Sequence, residues 1–476
     1  MRWTILRPLG LISLALVSLF LVACAGSQAP SAASANVTAP SPIEAEPTDA
    51  PTPATSTATP TSTVEATLEP SPSASPSPVT NTPTSTASRT ALPQPTGTPS
   101  PTAAPNKRTA DKLVLAYYVP YDSTSWVSFT SQAEHIDYVA PQWVTIDACG
   151  NIGSRDDRTL ISLARSRGIR ILPSLLTSSG SLNHRLLTEE RVAANAVNQI
   201  VAYVMREGYD GLDLDLEGVA ATDRQALSAF VSRLSQALRA KRKLLTMAIP
   251  AKSSDTTTGW AGAYDYAALA PYIDLAVIMA YAYTTPSSRP GSTAPYSWVE
   301  KVASFATSQI PAEKVLLGLA FFGYDWNATT GSPARSLRYA QASELAARYG
   351  SPIVLDPGSR SATFSYVVKA GETEPQLEKI VPPSNHDISV KNPPPCDIST
   401  PAATPRPTEP PAPTATASPV PPLLQQHVVW LESADSVQQR LNLADTYRTK
   451  GIATWRLGQE DPAVWPLLQT WKQKGG

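Results

Sequence analysis

Cysteine and histidine are scarce in this chain of 476 residues, with three of the first and four of the second. Three cysteines cannot build a disulfide framework, and no CxxC pair suggests zinc. The four histidines form no HExxH site, which argues against a His-based metal enzyme. Charge is also thin: 16 % of residues carry it and the net value is −1. No basic block resembles a nucleic-acid footprint, so nucleic acid is not expected as a partner. There is no glycine-rich phosphate loop.

Proline, by contrast, is abundant and unevenly placed. Of 47 prolines, 17 fall in residues 25–108 and 15 in residues 370–425. Both stretches are otherwise mostly Thr, Ser and Ala. They lack the apolar and aromatic residues needed to offset the entropy of ordering, so disorder or polyproline is expected. The remainder, 109–369 and 426–476, suits one large single-core domain.

The first 24 residues read as an export signal. Arg2 and Arg7 give a positive start, and the apolar run Leu9–Ala23 is short for a membrane span of ~20 residues. Its end, Leu21-Val22-Ala23-Cys24, resembles the lipobox of bacterial lipoproteins, in which the cysteine becomes the lipidated N-terminus. That implies a membrane partnership through a lipid anchor at Cys24, with 25–108 as a spacer facing the wall or the outside. The alternative is an ordinary cleaved signal with an incidental Cys24.

From residue 109 on, apolar runs alternate with amphipathic stretches. Strands are expected at Leu113–Val119, Ile136–Val144, Ile169–Leu176, Tyr209–Glu217, Leu244–Ile249, Ile273–Tyr281, Val315–Phe322 and Gly451–Trp455. Between Asp223 and Ala240, Leu227, Phe230, Val231, Leu234 and Leu238 recur at helical spacing, with Thr222 or Asp223 as cap. Eight strands with intervening helices suggest a (β/α)₈ TIM barrel, with a doubly wound open sheet as the alternative. Pro352–Asp356 and Ala362–Val368 flank a Pro357-Gly358 turn, and His427–Leu431 offers a third strand. These predict a small β insertion between barrel strands seven and eight, with the proline-rich 370–425 as its long projecting loop.

The informative run is Asp210-Gly211-Leu212-Asp213-Leu214-Asp215-Leu216-Glu217. Strand alternation puts Asp213, Asp215 and Glu217 on one face and the leucines on the other. In a barrel the leucines face the helices, the acids face inward, and Glu217 reaches the C-terminal mouth. Close like charges leave a shared proton, which keeps Glu217 available as a general acid. Two rival readings are a solvated acidic edge and a calcium loop. The second needs Glu at position twelve, where the chain has Arg224.

Asp210-Gly211-x-Asp213-x-Asp215-x-Glu217 resembles the DGxDxDxE signature of family 18 glycoside hydrolases, the chitinase-like (β/α)₈ enzymes. Met279-Ala280-Tyr281 resembles the family's M-x-Y, Lys314–Tyr324 its seventh strand, and Gly451–Trp455 its eighth, ending in the sugar-floor Trp. The resemblance covers 112–369 and 427–470. The run from Asn183 to Val219 and the segment Val429–Glu432 look most like the wall-associated and spore-lytic branch. It implies substrate-assisted hydrolysis of N-acetylglucosamine polymers, peptidoglycan or chitin, by a monomer without metal or cofactor. Glu217 would be the acid and then the base, Asp215 the partner of the acetamide N–H, Asp213 its support, and Tyr281 the donor to the acetamide oxygen. Met279, Tyr117, Trp143 and Trp455 would line the sugar groove. Two departures stand out: Ala282 follows Tyr281 where many members have Asp or Glu, and Leu172–Gly180 lacks a clean SxGG. They leave open a second reading, a non-catalytic glycan-binding lipoprotein. An exported chain with two further cysteines invites a Cys149–Cys396 disulfide, stapling the long loop across the groove; two free thiols are the alternative.

Overall fold

Strands of a parallel sheet covered on both faces must be apolar in both directions. Eight segments meet that demand and close on one another. The computed structural model describes residues 112–373, 375–377, 379–396 and 424–474. The barrel strands are β1 (Leu113–Tyr118), β2 (Tyr138–Ile146), β3 (in two pieces, Arg170–Ile171 and Ser174–Thr177), β4 (Gly211–Leu216), β5 (Leu244–Pro250), β6 (Leu275–Met279), β7 (Val315–Ala320) and β8 (Gly451–Trp455). Each is parallel to its neighbours, and β1 pairs with both β2 and β8. The sheet is therefore a closed TIM barrel, not a doubly wound open sheet. Pro173, which has no N–H, breaks β3; its carbonyl still accepts from Asp213 N–H at 3.0 Å.

Two apolar layers result. Leu115, Tyr117, Tyr138, Ala140, Leu172 and Leu316 fill the barrel. Leu212, Leu214 and Leu216 of β4 face out into the layer under the helices, as alternation requires. Helix Arg224–Arg239 buries Leu227, Phe230, Val231, Leu234 and Leu238 there; truncating one such leucine costs about 2–5 kcal/mol. Asp223 stands at its cap position, but its side chain bonds no helix N–H. The carboxylate is taken instead by His184 Nδ1, at 2.9 and 3.0 Å.

Between β7 and β8 lies an antiparallel sheet of five strands, in the order Arg335–Arg338, Phe322–Asn327, Leu424–Leu431, Ala362–Lys369 and Val354–Leu355. Helix Tyr339–Arg348 packs Leu345 and Ala346 against one face. Two of these strands were not expected. Phe322–Asn327 continues the seventh-strand run with no break in hydrophobicity; the chain turns at Phe321, whose N–H goes to Trp455 O at 2.7 Å.

The proline-rich stretch requires a correction. Residues 388–391, expected within a disordered projecting loop, form a strand. It pairs with Ile152–Asp157, which in turn pairs with the end of β2. On its way the segment passes helices Ser123–Gln132 and Arg158–Ser166, bonding Ser123 N–H through Val381 O at 2.7 Å and Arg158 N–H through Asp387 O at 2.8 Å. The strap thus runs past the N-terminal ends of those two helices and onto the edge of the Ile152–Asp157 strand. The cause is charge on distant segments. Lys391 Nζ meets buried Asp156 at 2.6 Å and Glu207 at 3.1 Å, and His386 Nδ1 meets buried Asp157 at 2.5 Å. Cys149 and Cys396 are joined as a disulfide at the strap's end. Residues 397–423, the signal segment with Cys24 and the 25–108 tether lie outside the described residues. Among the described residues no helix is long and apolar enough to cross a membrane.

Candidate active site

The acids sit where alternation puts them. Asp213 and Asp215 point into the barrel and are buried, while half-buried Glu217 lies one residue past the end of β4. Glu217 is fixed through its backbone: its N–H reaches Thr177 O at 2.8 Å, and its carbonyl accepts from Asn183 Nδ2 at 2.5 Å. Tyr264 donates its hydroxyl to Leu216 O. β4 therefore ends in a clamp of three neighbouring segments.

Asp213 Oδ1 accepts from Thr246 Oγ1 at 2.6 Å. Burial raises its pKa, and the hydroxyls of Thr246, Ser174 and Tyr117 hold the rise in check. Asp215 has no such support. Its Oδ1 is buried without a hydrogen-bond partner among the described residues. Burial, then Glu217, then Asp213 push its carboxyl well above the usual range. Burial also raises Glu217. These three neighbouring acids thus each hold a proton more readily than a carboxyl in bulk water does.

Tyr281 faces the same acids. Burial, then Asp215, Glu217 and Asp213, raise its hydroxyl pKa, so it stays a proton donor. Its ring needs Gly318 on β7: a Cβ there would lie 2.4 Å from Ile278 O and 3.1 Å from Tyr281 Cε1. After Tyr281 the chain turns sharply, with Ala282 in the left-handed region at φ 60°. A non-glycine residue there stores strain. Met279 and Trp455 are half-buried at the ends of β6 and β8. The Trp455–Arg456 peptide is cis. Trp455 meets Tyr117 edge-on, with ring centroids 5.4 Å apart.

Of two further expected groove residues, one sits deeper than expected and the other lies outside the barrel. Tyr117 is 2 % exposed, beneath the acids in the inner layer. After burial, the nearby charges of Asp213 and Asp215 raise its hydroxyl pKa, and its ring offers no open face. Trp143 is 4 % exposed in the outer layer, with Nε1 donating to Tyr203 OH at 3.1 Å. Tyr138 and Ala140 point inward on β2, so Gln142 shares their side and Trp143 does not. Residues not anticipated are Asn183, Thr246 and Tyr264. Thr246 had a signal, as the one hydroxyl in the apolar run Leu244–Ile249; its Cα partner across the sheet is Asp213. Asn183, in helix Gly180–Thr188, and Tyr264, in the segment after β5, act from other parts of the chain, which no local pattern reveals. Asp147 approaches the cysteines, but Cys149 and Cys396 are bonded to each other and offer no thiolate to a metal.

Comparison with known proteins agrees with this geometry. The description "Glycosyl hydrolases family 18" matches residues 113–460. An uncharacterized glycosylase, YvbX, of Bacillus subtilis (strain 168) is 24 % identical over 360 residues, covering 74 % of this chain and 89 % of that protein. The cortical fragment-lytic enzyme of the same organism is 26 % identical over 294 residues, covering 61 % and 56 %. Among solved structures, a chitinase from Chromobacterium violaceum ATCC 12472 superposes with a TM-score of 0.60 at 26 % identity, covering 76 % of this chain and 98 % of that one.

Proposed function

The chain belongs to glycosyl hydrolases family 18 and is a glycoside hydrolase, and from that premise we propose that it cleaves β-1,4-linked N-acetylglucosamine polymers, peptidoglycan or chitin, with the substrate's own acetamide as nucleophile. The observation that carries this reading is the inward Asp213–Asp215 pair leading to Glu217 at the barrel mouth, with Tyr281 facing all three. Glu217 gives its proton to the glycosidic oxygen. The acetamide carbonyl oxygen forms a bond to the anomeric carbon as the bond to the leaving oxygen breaks, and the electron pair leaves with that oxygen. Asp215 accepts the acetamide N–H and offsets the positive charge of the oxazolinium. Tyr281 donates to the acetamide oxygen. Water then attacks the anomeric carbon and gives its proton to Glu217, as the bond to the acetamide oxygen breaks and its electron pair restores the acetamide, with retention overall. Burial, then Glu217, then Asp213, itself held by Thr246, raise the pKa of Asp215. No step needs a metal or cofactor, and the substrate must carry an N-acetyl group at C2.

We place the enzyme outside the cell, lipid-anchored at Cys24 and spaced from the membrane by residues 25–108. Relatives named for cortical fragments and for chitin support an extracellular glycan as substrate. A fluorogenic N-acetylglucosamine oligomer tests the reading. Glu217→Gln should lower turnover by at least ~10²-fold, the usual share of a general acid. Tight binding of the oligomer by the wild type without turnover would favour the non-catalytic glycan-binding reading instead.

A further inference from the structure

Every other described tryptophan packs into the apolar layer around the barrel; Trp260 does not. It is half-buried, stacks on no other ring and bonds no partner through its indole N–H among the described residues. A large aromatic that serves neither core nor hydrogen bonding is unusual away from a binding surface.

Its position is specific. A Cβ built on Gly218 would lie 3.5 Å from Trp260 Cζ3 and 3.8 Å from its Cη2. Gly218 directly follows Glu217 and has φ +67°, a conformation that favours glycine. The indole thus lies against the backbone of the residue next to the acid. The segment bearing it, which leaves β5, is tied down by charge. Arg224 donates to Gly262 O at 2.9 Å and to Thr256 O at 3.3 Å, and pairs with Asp265 at 3.0 Å. Lys252, whose side chain is fully buried, donates to Thr256 O at 2.9 Å. The ring is held on a braced loop, which lowers the entropy cost of using it.

Around the closed sheet β4 and β8 are four strands apart, so the Glu217 side of the mouth faces the Trp455 side across the barrel. Trp455 ends β8, and Trp260 flanks the acid on the loop leaving β5. A glycan chain crossing the mouth meets one indole at each side. We propose that Trp260 is a sugar-stacking residue that holds the leaving part of the glycan beside Glu217. This rests on the hydrolase reading above. The apolar C–H face of a pyranose is the chemical match to an indole face, and each further N-acetylglucosamine unit offers one.

The test combines binding and turnover with the N-acetylglucosamine hexamer. Binding is measured calorimetrically in the Glu217→Gln background, with and without Trp260→Ala or Trp260→Phe. Turnover and product lengths are measured with Glu217 intact. Trp260→Ala should weaken binding by up to about tenfold, the upper range of one aromatic stacking contact. It should raise KM more than it lowers kcat and shift the product lengths. Trp260→Phe should recover most of the affinity at an unchanged melting midpoint. Unchanged affinity and products in Trp260→Ala overturn the proposal. So do equal losses in both variants with a lowered midpoint, which mark a purely structural ring. Wild-type binding that depends on Trp260 without turnover would sink the hydrolase reading and leave this contact standing. No wild-type binding overturns both.

Discussion

Removing the Cys149–Cys396 bond should weaken the whole barrel, not only the strap. The bond joins positions 247 residues apart. In the unfolded chain that closes a very long loop, and the loop-entropy relation gives about 5.5 kcal/mol at 25 °C for its loss. Folded-state contacts do not make up the difference, because His386–Asp157 and Lys391–Asp156 exist in the folded state with or without the bond. A melting shift on the order of 10–20 °C follows, at about 2–4 °C per kcal/mol for a domain of this size. The double variant Cys149→Ser/Cys396→Ser is the clean perturbation, since a single change leaves a thiol free to cross-link chains. Denaturant unfolding with and without the bond reads the effect. The midpoint should fall and the slope should rise, because the unfolded chain without its cross-link exposes more surface, while turnover at 25 °C persists because the bond touches no residue of the acid cluster. A loss below about 1 kcal/mol would refute the argument. It would mean that the strap peels away locally, or that the unfolded chain is already compact there.

Asp215→Asn should abolish turnover and flatten the dependence of stability on pH. Its folded pKa is raised by burial and by Glu217 and Asp213, so its contribution is complete below the unfolded value of about 4 and is lost as pH rises through the folded value. The wild type should therefore lose stability on the alkaline side of that window, where the Asn variant is the more stable of the two. Chemical denaturation across the pH range checks the sign, and parallel curves would contradict it. Cys24→Ala should remove incorporation of labelled palmitate and release the protein from membranes; undiminished label would show that Cys24 is not the anchor.

Much of the barrel was legible because its strands are apolar runs of the right length. The acids were legible because alternation is strict: once Leu212, Leu214 and Leu216 are assigned to the helices, Asp213 and Asp215 have only the interior left. Where alternation was not applied, the reading slipped. Trp143 was placed by nearness to a strand end, although Tyr138 and Ala140 fix its side of β2 as the outer one. Ile152–Asp157 escaped notice because an Ile-Gly-Ser-Arg-Asp-Asp run has no apolar face to detect. The strap escaped because its few apolar residues, Leu377, Ile380, Val381, Ile388 and Val390, are scattered among prolines and polar residues. Its order comes from Asp156, Asp157 and Glu207, more than 150 residues away in the chain. Tertiary charge pairing is invisible to composition. Trp260 sits in a loop, where no periodicity marks a residue as facing a groove.

The pairing of β1 with β8 sets a timetable for folding. Leu113–Ala116 align with Gly451–Thr454, so the first barrel strand made waits for nearly the last residues of the chain before its second edge is covered. Until then the barrel is an open sheet, without its Trp455 rim. Contacts that distant in sequence slow folding, because loop closure must precede any gain from pairing. A chain that stays unfolded until synthesis ends is exposed to aggregation through that bare edge. For the export proposed above the same delay is useful, since it keeps the polypeptide threadable until it reaches the compartment where its disulfide can form.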